Sequence, residues 1–367
     1  MTLSIEINSP RWRKHLSDVF AQASAQSVVL VPVIKGNGYG LGQDFLASVA
    51  QDLKVTCIAV GSVFEIDDML RASTADVLVL EPYEPSDEIA AELWQAIETS
   101  PDNKRVIRVV ASSNALDAVI ENSQPVRFLL EVATDLNRFG FKIDELSKIW
   151  NTINSPSDQN TFEGLTFHFP LSSKDSDVDA IIQVIKQRAE DLSVTLPIGS
   201  IWISHLSASQ IANIQEQFPD LHIHNRVGTK LWLGDRGALK TYGTVLNVTK
   251  IARGDVAGYR RKRVPGNGWI VTIAGGTSHG IALSAPTGPT TSRQRAVAFA
   301  NGFLDAFLAV RSPFTHAGKR LMFLEPPHQH VSQLFVPAAM TPPVIGDRLE
   351  ATVRYTTTRA NVVIEIS

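Results

Sequence analysis

The chain contains one cysteine, Cys57, among 367 residues, so an internal disulfide is excluded. Cys57 lies in the apolar run 55–60, which predicts a buried and unreactive thiol. Long hydrophobic runs are missing too: no stretch approaches the roughly 20 apolar residues that a bilayer-spanning helix needs. The opening residues, Met1-Thr2-Leu3-Ser4-Ile5-Glu6-Ile7, have neither the basic start nor the apolar core of a secretory signal. A cytoplasmic location without a membrane partner is the expectation. Charge of one sign is not in excess: 34 Lys and Arg face 37 Asp and Glu, a formal net charge of -3. That balance supplies no global basic field for nucleic acid. What remains is 44% hydrophobic and 19% charged, the composition of a globular protein, with length enough for two domains.

Short β-rich apolar runs begin near Val28, Val55, Val77, Arg105, Val126, Gly164, Ser200 and Leu221. Amphipathic stretches separate them; in 181–192 (IIQVIKQRAEDL) the apolar spacing of three and four suits a helix. Continuously apolar strands belong where helices cover both faces of a parallel sheet. Eight strand–helix repeats predict an α/β fold, a (β/α)8 TIM-like barrel over residues 1–234. An open doubly wound sheet is the alternative from pattern alone. After Gly234 the runs 243–251, 269–274, 321–324, 334–336 and 348–366 look like strands. Turn signals such as Pro265-Gly266-Asn267-Gly268 and Pro342-Pro343 separate them, and one helix-like stretch covers 292–310. Residues 235–367 therefore predict a β-rich C-terminal domain.

Lys35 directly follows the first barrel run, which places it at the C-terminal mouth where barrel active sites form. Gly36, Gly38 and Gly40 behind it let backbone approach something bulky. An amine in an apolar mouth loses hydration, which lowers its pKa and suits it to Schiff-base chemistry. A plain surface lysine in a turn is the other reading of the same residues. The segment KGNGYGLG, Lys35 to Gly42, resembles the pyridoxal-phosphate lysine motif of alanine racemases, Lys-Ala-Asn-Ala-Tyr-Gly-His-Gly, with Leu41 in place of the histidine.

The resemblance continues in order along the chain. LEVATDLNRFGF, residues 130–141, is similar to the family's Gly-Arg-Leu-Gly-Phe segment and implies that Arg138 binds the substrate carboxylate; the family's lysine there falls on Glu131. GLTFHF implies that His168 touches the catalytic tyrosine. SHLSASQI, residues 204–211, resembles His-x-x-Asn-Ser-Ala, which implies His205 beside the pyridine ring and Ser209 on the phosphate, or Ser207 if the register slips by two. NRVGTKLWLG, residues 225–234, resembles Arg-Pro-Gly-Ile-Ala-Leu-Tyr-Gly and implies Arg226 at the pyridine nitrogen with the Gly228 and Thr229 amides on the phosphate. An arginine there stays protonated, so the ring nitrogen does not. Tyr39 would join the cofactor site, and Tyr355 is the nearest match to the family's phosphate-binding tyrosine.

Racemisation needs two acid/base groups on opposite faces of the α-carbon. Lys35 is one. GDVAGY, residues 254–259, resembles Gly-Glu-Pro-Val-Gly-Tyr and implies that Tyr259 is the other, supplied by the partner in a head-to-tail homodimer with shared active sites. The match then weakens. Where the family continues Tyr-Gly-Gly-Thr, Tyr259 is followed here by Arg260-Arg261-Lys262-Arg263, which reads as a solvated strand edge or as a basic gate for anionic substrates. Pro327-His328-Gln329-His330-Val331 falls on the family's Ser-Met-Asp segment, leaving Gln329 as the polar group for the substrate. His328 and His330, if in a strand, put both rings on one face, yet without Cys or carboxylate support no metal site is expected.

The resemblance thus implies a pyridoxal-phosphate enzyme, an amino-acid racemase with alanine as its small amino-acid substrate. The alternatives are a related racemase or lyase for another amino acid, and a non-catalytic pyridoxal-phosphate-binding protein.

Overall fold

The computed structural model describes residues 2–153, 160–171, 173–190, 198–283, 292, 293, 295 and 310–367. The chain forms two compact units. One comprises His15–Gly38 and Gln43–Gly234, the other Met1–Lys14, Tyr39–Gly42 and Asp235–Ser367. Chain order opens with strand β1 (Leu3–Asn8) and helix α1 (Ser9–Ala25).

The first unit is built on eight parallel strands: β2 (Val28–Pro32), β3 (Cys57–Val60), β4 (Asp76–Val79), β5 (Val106–Val110), β6 (Arg127–Val132), β7 (Thr161–Phe167), β8 (Ser200–Ile203) and β9 (His222–Val227). They lie in the order β2-β9-β8-β7-β6-β5-β4-β3. A parallel bridge from Val33 to Ala59 joins the two ends, with the Ile34 amide donating to Ala59 O at 2.7 Å. The sheet therefore closes into the predicted barrel, and the open-sheet alternative falls. All eight predicted strands are present; β7 alone starts three positions early, at Thr161 rather than Gly164. Every residue of β3 and of β5 is buried, the signature of strands covered on both faces. Val31, Val33, Ala59, Leu78, Ile107, Val109, Leu129 and Trp202 fill one apolar cluster. Cys57 sits in that cluster, and burial pushes its thiol pKa up, so it is inert as expected.

Helices α2 (Gln43–Asp52), α3 (Ile66–Ala72), α4 (Glu88–Glu98), α5 (Ser113–Ile120), α6 (Leu146–Ile153), α7 (Asp175–Glu190), α8 (Ala208–Gln217) and the single turn α9 (Thr229–Trp232) follow the strands. Side-chain caps set several starts: Asp87 accepts the Ala90 amide before α4, and Ser112 the Ala115 amide before α5. The predicted stretch 181–192 lies in α7 up to Glu190; its last two residues lie outside the described residues.

One buried ion pair ties α4 to β5. Arg108 Nη2 lies 2.6 Å from Glu98 Oε1 with its side chain 2% exposed, and its guanidinium carbon sits 4.4 Å from the Trp94 ring centroid. Burial draws the Arg108 pKa down, and Glu98 opposes that shift. Glu98→Ala leaves the charge buried without its partner, so a loss of about 3–5 kcal/mol in denaturant unfolding is expected. A loss below about 1 kcal/mol would show that the aromatic contacts alone hold the cation.

The other unit is antiparallel except at one edge. It contains β10 (Leu239–Ile251), β11 (Val256–Ala257), β12 (Lys262–Arg263), β13 (Gly268–Ala274), β14 (Arg311–His316), β15 (Lys319–Phe323), β16 (Val331–Pro337), β17 (Arg348–Ala351) and β18 (Val362–Ile366). The main sheet runs β13-β16-β15-β14-β17-β10-β1-β18, and β10 also pairs with β13, so six of its strands return on themselves. A register shift between Val245 and Asn247 lets the long β10 serve both neighbours. Leu3, Val245, Val271, Ile273, Phe314, Leu334 and Val336 form part of its core.

The predicted C-terminal β character stands, with corrections in detail. The run 348–366 is two strands, β17 and β18, separated by a 3-10 turn at Tyr355–Thr357. Strands β1 and β14 had no counterpart in the sequence reading, and β1, within the segment 1–234, pairs with β10 and β18. The helix-like stretch 292–310 lies outside the described residues except for Ser292, Arg293, Arg295 and Val310. His328, Gln329 and His330 precede β16 in irregular backbone, so strand alternation does not put the two rings on one face. No helix among the described residues is long and apolar enough to cross a membrane.

Candidate functional site

The C-terminal ends of the barrel strands gather the unit's chemistry-bearing residues. Lys35 comes three residues after β2, His168 directly after β7 and His205 two after β8; Arg226 is inside β9, and Arg138 lies between β6 and α6. Strand polarity forces this arrangement, because parallel strands deliver all their following loops to one rim.

The loop after Lys35 is held by a residue that the sequence reading missed. Glu65 accepts the Gly36 amide at 2.8 Å on one oxygen and the Gly61 amide at 2.6 Å on the other. Gly38 has φ +59, and a Cβ there would sit 2.6 Å from the Gln43 amide nitrogen, so only glycine fits. Lys35 keeps contact with solvent, but crowding around it lowers its pKa; the Arg138 and Arg226 charges add to this and Glu65 offsets part of it. The result is an amine more readily neutral than an ordinary lysine.

Arg226 is 6% exposed and donates from Nη2 to the Phe167 carbonyl at 2.7 Å. Its Nε is buried and has no hydrogen-bond partner among the described residues. Burial brings its pKa down to about 10, with Glu131 opposing and Arg138 assisting, so it stays charged near neutral pH. Glu131 is itself buried, and burial raises its pKa against the pull of Arg226 and Arg138.

His168 Nδ1 lies 3.0 Å from the hydroxyl of buried Ser204, and its carbonyl accepts from Thr134 Oγ1 at 2.6 Å. The His168 and His205 rings meet edge to face at 5.4 Å. Burial first, then Arg226, Arg138, His205 and Lys35, push the His168 pKa down to about 3. His205 is shifted the same way by burial, Arg226 and Lys35, and its backbone is left-handed at φ 66.

These shifts have a measurable consequence. His168, and His224 at about 4, are neutral in the folded protein but take up protons below about pH 6.5 when unfolded. Their contribution is fully present above pH 6.5 and is lost as pH falls towards 3. The denaturant midpoint is expected to drop between pH 6.5 and 5, and His168→Gln to drop less. An equal drop in the variant would exclude His168 as a contributor.

Helix α8 starts beside this cluster in sequence. Ser207 caps it, accepting the Gln210 amide at 3.3 Å, while Gln210 Oε1 accepts the Ser207 amide at 2.9 Å. Ser209 Oγ lies 3.0 Å from Ser207 Oγ. Both serines of the ambiguous register thus sit at the helix start, Ser207 engaged as its cap. Gly228 precedes the turn α9, and Thr229 opens it.

Four of the expected site residues belong to the other unit. Tyr39 is buried with φ 55, and Gly40 beside it approaches the Tyr355 carbonyl so closely that a Cβ would lie 2.8 Å away. Burial raises the Tyr355 pKa, with Thr241 and Arg236 pulling it down. Tyr259 tops the β11–β12 hairpin, 85% exposed, its ring 4.5 Å from that of His328. Gln329 accepts from Ser278 Oγ through its carbonyl at 2.6 Å. Glu325 underlies Tyr259 and was also missed; its one sequence signal is an acid immediately before Pro326-Pro327.

A (β/α)8 barrel followed by an antiparallel β unit is the architecture that alanine racemases share. The family model described as alanine racemase, N-terminal domain, matches residues 7–233, and the chain belongs to this family. Among solved structures, alanine racemase of Clostridium difficile 630 superposes with a TM-score of 0.69 at 16% identity, covering 100% of this chain and 96% of that one. Alanine racemase of Bacillus anthracis with bound L-Ala-P gives 0.67 at 18%, over 100% and 95%. Alanine racemase of Bartonella henselae with covalently bound pyridoxal phosphate gives 0.67 at 15%, over 100% of both. At such identities the likeness concerns the fold alone. No curated protein matches the chain.

Proposed function

We propose that the protein is a pyridoxal-phosphate-dependent amino-acid racemase. The observation that carries this is Arg226, a buried cation with one unsatisfied N–H, at the same barrel rim as an amine of lowered pKa. A buried donor without a partner among the described residues suits a ligand acceptor, and the residues present fit the cofactor. Lys35 would hold its aldehyde carbon and Arg226 its ring nitrogen, with His205 beside it. Ser209 at the start of α8, where helix amides favour an anion, and Gly228 and Thr229 at the start of α9 would hold its phosphate.

When bound, the cofactor supplies a conjugated ring that acidifies the α-proton of the amino acid. The chain supplies the rest. Arg226 keeps its proton and so leaves the ring nitrogen without one, which limits the electron sink and favours return of the proton over side reactions. Arg138 pairs with the α-carboxylate. Lys35 Nζ takes or returns the α-proton on one face, and the Tyr259 hydroxyl of a second copy does so on the other. His168, neutral by burial, is suited to accept a hydrogen bond from that tyrosine. The exposure of Tyr259 supports a residue that meets its site only in a homodimer.

Alanine is the substrate that family membership implies. The altered segments 260–263 and 327–331 favour a second reading, a racemase for a larger or acidic amino acid. The test is to load the purified protein with pyridoxal phosphate, confirm the visible absorption band, and follow L-alanine in deuterated water. Proton NMR is expected to show loss of the α-proton, and chiral chromatography growth of the D enantiomer. Bound cofactor with no exchange for any amino acid in a broad panel would leave a carrier and end the racemase reading.

A further inference from the structure

The hairpin that bears Tyr259 is anchored in an unusual way. Val256 pairs with Arg263 and Ala257 with Lys262, leaving the turn 258–261. Glu325, 4% exposed, accepts the Tyr259 amide at 3.3 Å and the Arg260 amide at 3.5 Å. The same carboxylate lies 2.5 Å from His328 Nε2. An ionised carboxylate only accepts, so His328 donates from that nitrogen. Gly258, at φ +73, is what allows the approach: a Cβ would fall 2.1 Å from the Glu325 carboxyl carbon. Both oxygens of Glu325 are thereby committed beneath the turn.

A cleft of about 640 Å³ opens beside this anchor, lined among others by Tyr259, Arg260, Thr277, His328, Gln329 and His330. Its floor is fixed, because Ser278 Oγ binds both the Gln329 carbonyl at 2.6 Å and His330 Nδ1 at 3.1 Å. Glu325 is the only carboxylate in the lining among the described residues, and its oxygens are already in use. Arg260, Arg261, Lys262 and Arg263 form no ion pair among the described residues. In a chain of net charge -3, four consecutive unpaired cations are a local field, and it borders this cleft. A guanidinium with imidazole, amide and hydroxyl groups around it, and no free acid, is a receptor for an anion, best for a carboxylate that an arginine can bind through two N–H groups.

We propose that this cleft binds the side-chain carboxylate of a dicarboxylic amino acid through Arg260, so that the enzyme favours acidic over neutral amino acids. The proposal rests on the racemase reading with Tyr259 as one of its bases: whatever presents its α-carbon to Tyr259 lies at the cleft's edge.

The experiment measures α-proton exchange of L-glutamate, L-aspartate and L-alanine by the cofactor-loaded protein, in the parent and in Arg260→Ser and Arg260→Lys. Calorimetric titration with glutarate and with inorganic phosphate accompanies it, and circular dichroism confirms folding of the variants. The parent is expected to show kcat/KM for an acidic amino acid about tenfold or more above that for alanine. Arg260→Ser should remove that preference, mainly through KM, leave alanine within about twofold, and weaken glutarate binding about tenfold. Arg260→Lys should restore part of it. Alanine exchanged fastest, with Arg260→Ser changing nothing, overturns the subsite and leaves the racemase standing. Glutarate binding that depends on Arg260, with no exchange for any amino acid, keeps the carboxylate site and removes the racemase reading. Phosphate bound more tightly than glutarate, without preference for acidic amino acids, overturns the carboxylate assignment.

Discussion

Lys35→Ala is expected to lose α-proton exchange by about 10⁴-fold, the upper range for a positioned acid/base group, and to lose the visible cofactor band with it. Under the proposed function two roles would meet in one amine: it would hold the cofactor and move the proton. The lowered pKa serves both, since each needs the neutral form. The change should cost little stability, within about 0.5 kcal/mol, because the side chain is exposed and holds no structural hydrogen bond. Absorption spectra and unfolding curves of parent and variant check this together. A variant that keeps the band and exchanges within about tenfold of the parent would remove Lys35 from both roles.

Tyr259→Phe is expected to act on one enantiomer. Exchange of the L substrate's α-proton should fall by about 10² to 10⁴ while exchange of the D substrate, on the Lys35 side, persists. With 85% of its surface exposed, the tyrosine contributes little to folding, so the two effects separate cleanly. Mixing the two variants then tests the shared site. If each site takes its lysine from one copy and its tyrosine from the other, a heterodimer of Lys35→Ala with Tyr259→Phe contains one intact site and one doubly altered site. Statistical re-association would restore about a quarter of parent activity. Heterodimers that form and stay inactive, or a monomer that is fully active, would place both bases in one chain.

Much of the barrel was legible because parallel strands covered on both faces are apolar throughout, as β3 and β5 are. Lys35 was legible because it directly follows an apolar strand, whereas His168, His205 and Arg226 were legible through the family resemblance; β9, which carries Arg226, is not apolar throughout. Glu65 and Glu325 were not. Their function lies in hydrogen bonds to backbone amides 29 and 66 positions away, and nothing local distinguishes such an acid from a surface one. The conformation of segment 328–330 was left open for a related reason. A strand there would have put both rings on one face, but Pro326-Pro327 offer no N–H to a ladder, and β16 begins only at Val331. Strand β1 escaped notice because its partners are remote: its neighbour β18 lies at the other end of the chain.

That remote pairing makes the barrel, in effect, an insert carried within the β unit. Leu3 donates its amide to Asn361 across 358 positions, and β1 sits between β10 and β18. Cleaving the chain between Gly234 and Asp235 would therefore leave the C-terminal half incomplete. The C-terminal fragment would keep β10 and β18 but lose the strand that joins them, exposing two rows of unpaired backbone groups. The N-terminal fragment would carry that strand with nothing to pair it. The N-terminal piece thus bears the strand that the C-terminal piece needs to complete its sheet.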